Sequence, residues 1–362
     1  MRNGRATSRA GATTTDQLAR AHPSSRDSAL IALCALALAQ LAAGQQSTIR
    51  GRVIGAETGE PLGFSIVTLI PTGTRRFADV AGEFVFPGVA AGTHLLSVRQ
   101  IGYAPLDTQI VVSEDSAVML VLRLRHLAIE LPPVTITGHE RCTSPGPPDR
   151  SADPALAAVF DQLVENAHRL DLLDDANPVR FRLERTIREV NWRGDTSTVT
   201  AGTIELDRRE TRRRYRPGNI VRPGWGPFQG TIVVTLASLH ELGDSVFHRT
   251  HCFQLAGRDT IEGETLVRID FAPAARLGTS DIAGSAYFDS LSYRLRFTET
   301  TLTRAERADI RGLRTLVART RFRDIVPGVA LQDYVRAVWT FGFGPVRSQI
   351  ETQRTTDVRF RH

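Results

Sequence analysis

The chain has 362 residues, with 45 basic against 39 acidic side chains and a formal net charge of +6, and every basic side chain is arginine. Residues 1–44 hold five arginines against Asp16 and Asp27, so +3 of the +6 lies there and the remainder carries +3, too mild to imply a nucleic-acid partner. A length of this size suggests two domains. The first feature along the chain is an apolar run over 29–43, preceded by a basic segment and followed by Ala42-Ala43-Gly44. That is the pattern of a secretory signal, 1–44, cleaved before Gln45. The alternative is a retained membrane anchor, for which the run is short. Cys34 follows Ile31-Ala32-Leu33, which lacks the small residue that a lipidation site wants just before its cysteine.

The next stretch reads as a small β-domain over 45–138. Ile49, Gly51 and Val53 alternate with polar residues, the period of a half-buried strand. Thr58-Gly59-Glu60-Pro61 supplies turn chemistry, and Ser65, Val67 and Leu69 share one face of the following strand. The other face then carries Phe64, Ile66 and Ile70. Three large apolar residues on a face that is normally polar mark an interaction surface, with the second domain of this chain as the first expected cover. Asp79 and Gly82 occupy the first and fourth places of a type I turn. Phe84 and Phe86, then His94, Leu96 and Val98, then 109–112 and 118–124 continue the strands. About seven short strands with regular punctuation predict a β-sandwich.

Ile49-x-Gly51-x-Val53, Thr58-Gly59-Glu60-Pro61-Leu62, Asp79-x-x-Gly82-Glu83-Phe84, Gly92-x-His94-x-Leu96-x-Val98 and Ile101-Gly102-Tyr103 stand in the order of a known family. In these pieces the stretch resembles the carboxypeptidase regulatory-like domain, a transthyretin-like or carbohydrate-binding-like sandwich. The resemblance implies a non-catalytic adaptor of the Gram-negative envelope, like those at the N-terminus of TonB-dependent receptors. Ala81 departs from the family, which often has Asp or Asn before the glycine. Zinc carboxypeptidases resemble one another in a His-x-x-Glu pair, which this chain lacks, and they carry the regulatory domain after the catalytic one.

Residues 131–138, Leu-Pro-Pro-Val-Thr-Ile-Thr-Gly, resemble the segment that leads into the plug of TonB-dependent receptors, but a 22-strand barrel would need several hundred more residues. Residues 139–152 are rich in Pro, Gly, Ser and Asp and read as a linker. Asp153-Pro154 is a helix start, and Leu156, Val159, Phe160, Leu163, Ala167 and Leu170 form one apolar face to about Leu172. Then the period changes to two, with strands expected over 179–190, 199–207, 211–216, 231–236, 250–256, 264–271, 284–290, 292–301, 313–323, 330–341 and 346–359. The fold class is therefore mainly β: a seven-stranded sandwich, then an α+β domain over 153–362 with one amphipathic helix and a large antiparallel sheet whose wet face carries the Arg and Thr. This half is similar to regions without assigned activity beside regulatory-like domains of other secreted proteins, and to the curved sheet-plus-helix of lipoprotein carriers.

Beyond the signal there are two cysteines, Cys142 at the linker and Cys252 in an expected central strand. In an exported protein they are expected to form a disulfide tying linker to sheet, the alternative being two buried free thiols. A third reading is a zinc site from His139, Cys142, His248, His251 and Cys252, although alternating strand faces would split His251 from Cys252. The run from Arg208 to Arg216 is either a solvated strand face or a grip on an anionic sugar or lipid phosphate. Trp225 and Phe228 stand in a Pro/Gly-rich loop that either stacks on a sugar or partner or folds back on the core. These features imply a non-catalytic exported binding or adaptor protein, periplasmic or associated with the outer membrane, with an envelope protein or glycan as partner and no cofactor. A lipid or lipoprotein carrier using an apolar concave face of the second sheet is the alternative, followed by a metal-dependent hydrolase.

Overall fold

The computed structural model describes residues 47–70, 72–129, 141–176, 179–208, 214–224, 228, 231–326 and 329–360. The export segment 1–44, the 131–138 stretch, His139, residues 209–213 and Trp225 lie outside the described residues.

Seven strands, β1 (Ser47–Gly55), β2 (Ile66–Ile70), β3 (Thr74–Phe77), β4 (Glu83–Val89), β5 (Gly92–Arg99), β6 (Leu106–Val112) and β7 (Ala117–Leu124), form the sandwich. One sheet has the order β4-β1-β7 and the other β3-β2-β5-β6; β1 runs parallel to β7 and antiparallel to β4. The inner faces meet in one cluster that includes Ile49, Val53, Phe84 and Phe86 from the first sheet and Val67, Leu69, Leu96 and Val98 from the second. At the turn before β4, Asp79 Oδ1 accepts from the amides of Ala81 and Glu83, each at 2.9 Å. Gly82 there has φ 77°, and a Cβ would lie 2.5 Å from the Val53 carbonyl oxygen, so only glycine fits.

The second unit begins with helix α1 (Pro154–Ala176), whose N-terminus is capped by Asp153 Oδ1 accepting from the Leu156 amide at 2.8 Å. Then come β8 (Val179–Asn191), β9 (Thr196–Asp207), a small hairpin of β10 (Val221–Pro223) and β11 (Ile232–Val234), and two short helices, α2 (Leu239–Leu242) and α3 (Ser245–Thr250). The meander β12 (His251–Ile261), β13 (Glu264–Pro273), β14 (Asp281–Asp289), β15 (Leu295–Thr303), β16 (Leu313–Val326), β17 (Val329–Phe341) and β18 (Val346–Phe360) completes it. The nine-stranded sheet has the order β12-β13-β14-β15-β16-β17-β18-β8-β9, every neighbour antiparallel, so the hairpin β8–β9 is added beside the last strand of the chain. Two expectations change here. Residues 214–216 are not strand, and the sequence pattern missed α2 and α3, whose starts are written as a capping box, Ser238 with Glu241, and an Asp244 cap.

The two faces of this sheet differ sharply. On the outer face Arg268 meets Asp259 and Asp270, Arg296 meets Glu264, and Arg321 and Arg323 meet Asp333. These partly exposed pairs keep the face polar. The inner face carries Val267, Ile269 and Phe271, then Ala286 and Phe288, then Leu316, Ala318 and Phe322, then Ala337 and Trp339, packed with Leu156, Val159, Leu163 and Leu170 of α1. These arginines are outside as expected, but Arg185 points inward, and threonine is not confined to the wet face: Thr298, Thr300, Thr320 and Thr355 are buried. Thr298 and Thr300 have a definite task, because Thr298 Oγ1 donates to the Ala237 carbonyl at 2.8 Å and Thr300 Oγ1 accepts from the Ala237 amide at 3.2 Å. They hold the segment between β11 and α2 across the sheet.

The units meet through α1. Beside its apolar face run Gln162, Asn166 and Arg169, all buried. Gln162 Oε1 accepts from the Gly102 amide at 2.9 Å, and Asn166 Nδ2 donates to the Tyr293 carbonyl at 2.9 Å. Arg169, 1% exposed, donates through Nη2 to the Phe64 carbonyl and to Gln100 Oε1. Gly102 has φ 81°, and a Cβ there would lie 3.3 Å from the Leu291 carbonyl oxygen, so the Ile101-Gly102-Tyr103 motif lets the sandwich backbone approach the sheet closely. Ile101 belongs to the core of the second unit, and Phe77 packs against it.

The expected apolar patch of β2 needs correction. Phe64 lies before the strand at φ 60°, a left-handed residue that breaks the alternation, and it offers its carbonyl to Arg169. Ile66 is buried outside the sandwich core and pairs with Phe77, but Ile70 is 39% exposed. The junction is thus built from Phe77, Gln100 and Ile101 and the Phe64 backbone. Burial pulls the Arg169 guanidinium down to about 10, so it still carries its charge at neutral pH, with no carboxylate bonded to it among the described residues. Replacing it by an acceptor would set a carboxylate against two oxygens. Arg169→Glu is expected to weaken docking by about 3–5 kcal/mol and to split one calorimetric unfolding transition into two; a single transition at unchanged temperature would refute the role.

Cys142 and Cys252 form a disulfide, Cα–Cα 5.5 Å, closing 110 residues. Cys252 lies in β12, which is an edge strand of the sheet and not the central one expected. The linker lies along that edge: the Cys142 carbonyl accepts from the Ala275 amide at 2.8 Å, and the Gly146 amide donates to the His251 carbonyl at 3.0 Å. Closing so long a loop removes chain entropy worth about 4.7 kcal/mol from the unfolded state. Cys142→Ala with Cys252→Ala should therefore lower the denaturation midpoint strongly, and the same loss should appear on adding reductant to the unaltered protein; equal midpoints with and without reductant would count against it.

Candidate functional site

A cavity of about 300 Å³ lies between the inner face of the sheet and the covering segments, within the size range of small-ligand pockets. Its floor comes from strands β8, β16, β17 and β18, with Leu183, Leu316, Phe322, Val335, Ala337 and Trp339 among the lining side chains. Its other walls are Leu170 of α1, Ile232 and Val234 of β11, Leu236 beyond it, and Phe228. The position of this roof follows from Thr298 and Thr300, which fix Ala237, and from the bond of the Thr235 amide to the Ile220 carbonyl at 2.9 Å.

The register carries a polar row into this apolar floor. Thr320 stands opposite Val335, Val335 opposite Gln353, and Gln353 opposite Arg185. Arg185 Nε donates to Glu351 Oε1 at 2.6 Å, Gln353 Nε2 donates to the same oxygen at 2.7 Å, and Gln332 Nε2 donates to Gln353 Oε1 at 3.2 Å. The Arg185 and Glu351 side chains are only 11% and 8% exposed. In the same walls Trp339 Nε1 and Thr320 Oγ1 are buried with no hydrogen-bond partner among the described residues. Each such group costs about 1–3 kcal/mol, a concentration of unmet polarity unusual for a floor that only has to be stable.

The residues singled out from sequence are scattered. Phe228 and Arg208 line the cavity. Arg214 and Arg216 are exposed, while Tyr215 between them is buried. Ile66 is buried opposite Phe77, and Cys142 and Cys252 form the disulfide. The cysteines are therefore not free to bind zinc. His248 Nε2 faces the Leu242 carbonyl, and His251 places its ring nitrogens 3.0 Å from the Phe247 and Ile282 carbonyls. Among the described residues no group of three His, Cys, Asp or Glu side chains is placed to hold a metal. Tyr215 donates to Asp281 Oδ2 at 2.6 Å, and burial pushes the Asp281 carboxyl up and the His251 imidazole down to about 4. This cluster is shut in the interior near the disulfide.

Arg185, Glu351 and Gln353 were not found from sequence. One signal was available: Leu183-x-Arg185-x-Ile187 puts an arginine on the apolar face of a strand. For β18 no signal existed, because Gln349, Glu351, Gln353 and Thr355 all alternate inward and the segment lacks apolar periodicity.

Among solved structures the chain is similar to a DUF1329 family protein from Desulfovibrio piger (10% identity, 56% of this chain and 92% of that one, TM-score 0.29) and a LolA superfamily protein from Nitrosomonas europaea (11%, 56% and 94%, 0.27). It is also similar to 5-hydroxyisourate hydrolase from Klebsiella pneumoniae (16%, 23% and 89%, 0.18). No curated protein matches the chain. The model of the carboxypeptidase regulatory-like domain matches residues 48–125, which span β1 to β7. With its strand order, its Asp79 turn and its Ile101-Gly102-Tyr103 corner in place, this part of the chain is a carboxypeptidase regulatory-like domain.

Proposed function

We propose that the chain is a non-catalytic binding protein of the bacterial envelope, in which the nine-stranded sheet holds the apolar part of a small amphiphile and the regulatory-like domain serves as its scaffold. The observation that carries this reading is the cavity, lined mostly by aliphatic and aromatic side chains on a sheet face that elsewhere is filled by helices. Tyr215, His251, Asp281 and Arg169, all shifted by burial, do not line it, whereas catalytic groups with such shifts would face a cleft. The disulfide and the signal-like 1–44 segment support an oxidising compartment outside the cytoplasm. No helix among the described residues is long and apolar enough to cross a membrane.

The test is fluorescence of phenylnaphthylamine, which brightens in apolar sites. The purified protein should bind it saturably, and Ala337→Phe, which fills the floor, should weaken binding by roughly tenfold, the worth of one lost apolar contact region. A protein that gives no saturable signal, or an Ala337→Phe variant that binds as well as the original, would sink the reading.

A further inference from the structure

Arg185 and Glu351 stand on an apolar floor, and neither is explained by stability alone. A buried ion pair of this kind is commonly no better for stability than apolar residues of the same volume. Its geometry is one-sided. Glu351 Oε1 accepts from Arg185 Nε and from Gln353, and Gln353 is in turn held by Gln332, so the guanidinium plane is fixed from its Nε edge. Arginine has five N–H donors in a rigid fork, and Nε supplies only one. The two terminal amino groups of Arg185 have no acceptor among the described residues, and Arg185 lines the cavity. The donors are therefore aimed and unspent.

The charge of the lining decides what they can receive. Among the described lining residues three carboxylates, Asp171, Glu241 and Glu351, stand with three guanidinium groups, Arg185, Arg208 and Arg222. An anionic headgroup would bring an uncompensated charge into an enclosed site, whereas an uncharged carbonyl oxygen would accept from Arg185 and leave the balance intact. Resting on the cavity reading above, we propose that Arg185, oriented by Glu351, sets the specificity of the site for a neutral acyl ester or amide, receiving its carbonyl oxygen while the acyl chain lies along Leu316 and Val335.

The probes are monoolein, oleate and octadecene, each used to displace phenylnaphthylamine from the full chain at neutral pH. Monoolein should displace it at roughly tenfold lower concentration than the other two, the worth of one hydrogen bond to a charged donor. Arg185→Met combined with Glu351→Met removes both charges together, so neither is stranded. It should lose the preference for monoolein, read as the ratio of the displacing concentrations of monoolein, oleate and octadecene at whatever phenylnaphthylamine affinity the variant has. Arg185→Lys, which keeps the ion pair but not the fork, should lose the preference as well and serves where the double variant does not fold. Oleate displacing better than monoolein, or a preference that survives both variants, overturns the proposal while leaving the apolar cavity standing. Failure of phenylnaphthylamine itself to bind overturns the cavity reading and this proposal with it.

Discussion

Helix α1 carries Leu156, Val159, Leu163 and Leu170 on one stripe and Gln162, Asn166 and Arg169 on the next, and both stripes are buried. The apolar stripe covers the sheet in the ordinary way. The polar stripe has to find partners, and it finds them largely in backbone groups of the sandwich and of the 289–293 loop: the Gly102 amide, the Phe64 carbonyl and the Tyr293 carbonyl. Backbone groups sit at fixed places, so the docking angle is specified although no carboxylate is bonded to Arg169 among the described residues. In its last two turns the same helix lies over the cavity at Leu170 and Asp171. The sandwich thus helps to hold one wall of a cavity that it does not itself line.

The sheet resolves a second conflict. Nine antiparallel strands with one wet face and one covered face must sort their side chains by parity. On the outer face arginines pair with local carboxylates, which a chain with 45 basic and 39 acidic side chains can supply. On the inner face parity brings polar residues inward along β18 and β8, where they meet each other as the Arg185–Glu351–Gln353 network. The strip that the helices leave uncovered is the strip where those residues stand. A floor of pure Leu and Val would invite the roof to collapse onto it.

Much of this was legible from the residues alone. Alternation located most strands within a few residues, because Val, Ile, Phe and Leu recur at period two where one face is buried. The Asp153-Pro154 start placed α1 correctly. What failed, failed for local reasons. Phe64 adopts a left-handed backbone, so counting by twos through it assigned a face that does not exist there. The helix was read by its apolar stripe alone, and Gln162, Asn166 and Arg169 were not singled out, because nothing local distinguishes a polar residue in water from one docked on a second unit. Inward Thr298 and Thr300 looked like wet-face residues for the same reason, although their hydroxyls spend themselves on Ala237.

The cavity lies at the far end of that difficulty. It is formed by residues more than a hundred positions apart, Arg185 on β8 against Glu351 on β18, brought together only because the chain's last strand pairs with the first strand of the sheet. Such a pairing is paid in loop-closure entropy before it returns any contact. The disulfide acts on the same problem from the other edge of the sheet, shortening the effective loop of 110 residues that holds α1, the first hairpin and the roof. One edge is closed covalently at β12, and the other is extended by β8 and β9. Between them the inner face can afford buried polar residues that a free-standing sheet of this length could not keep.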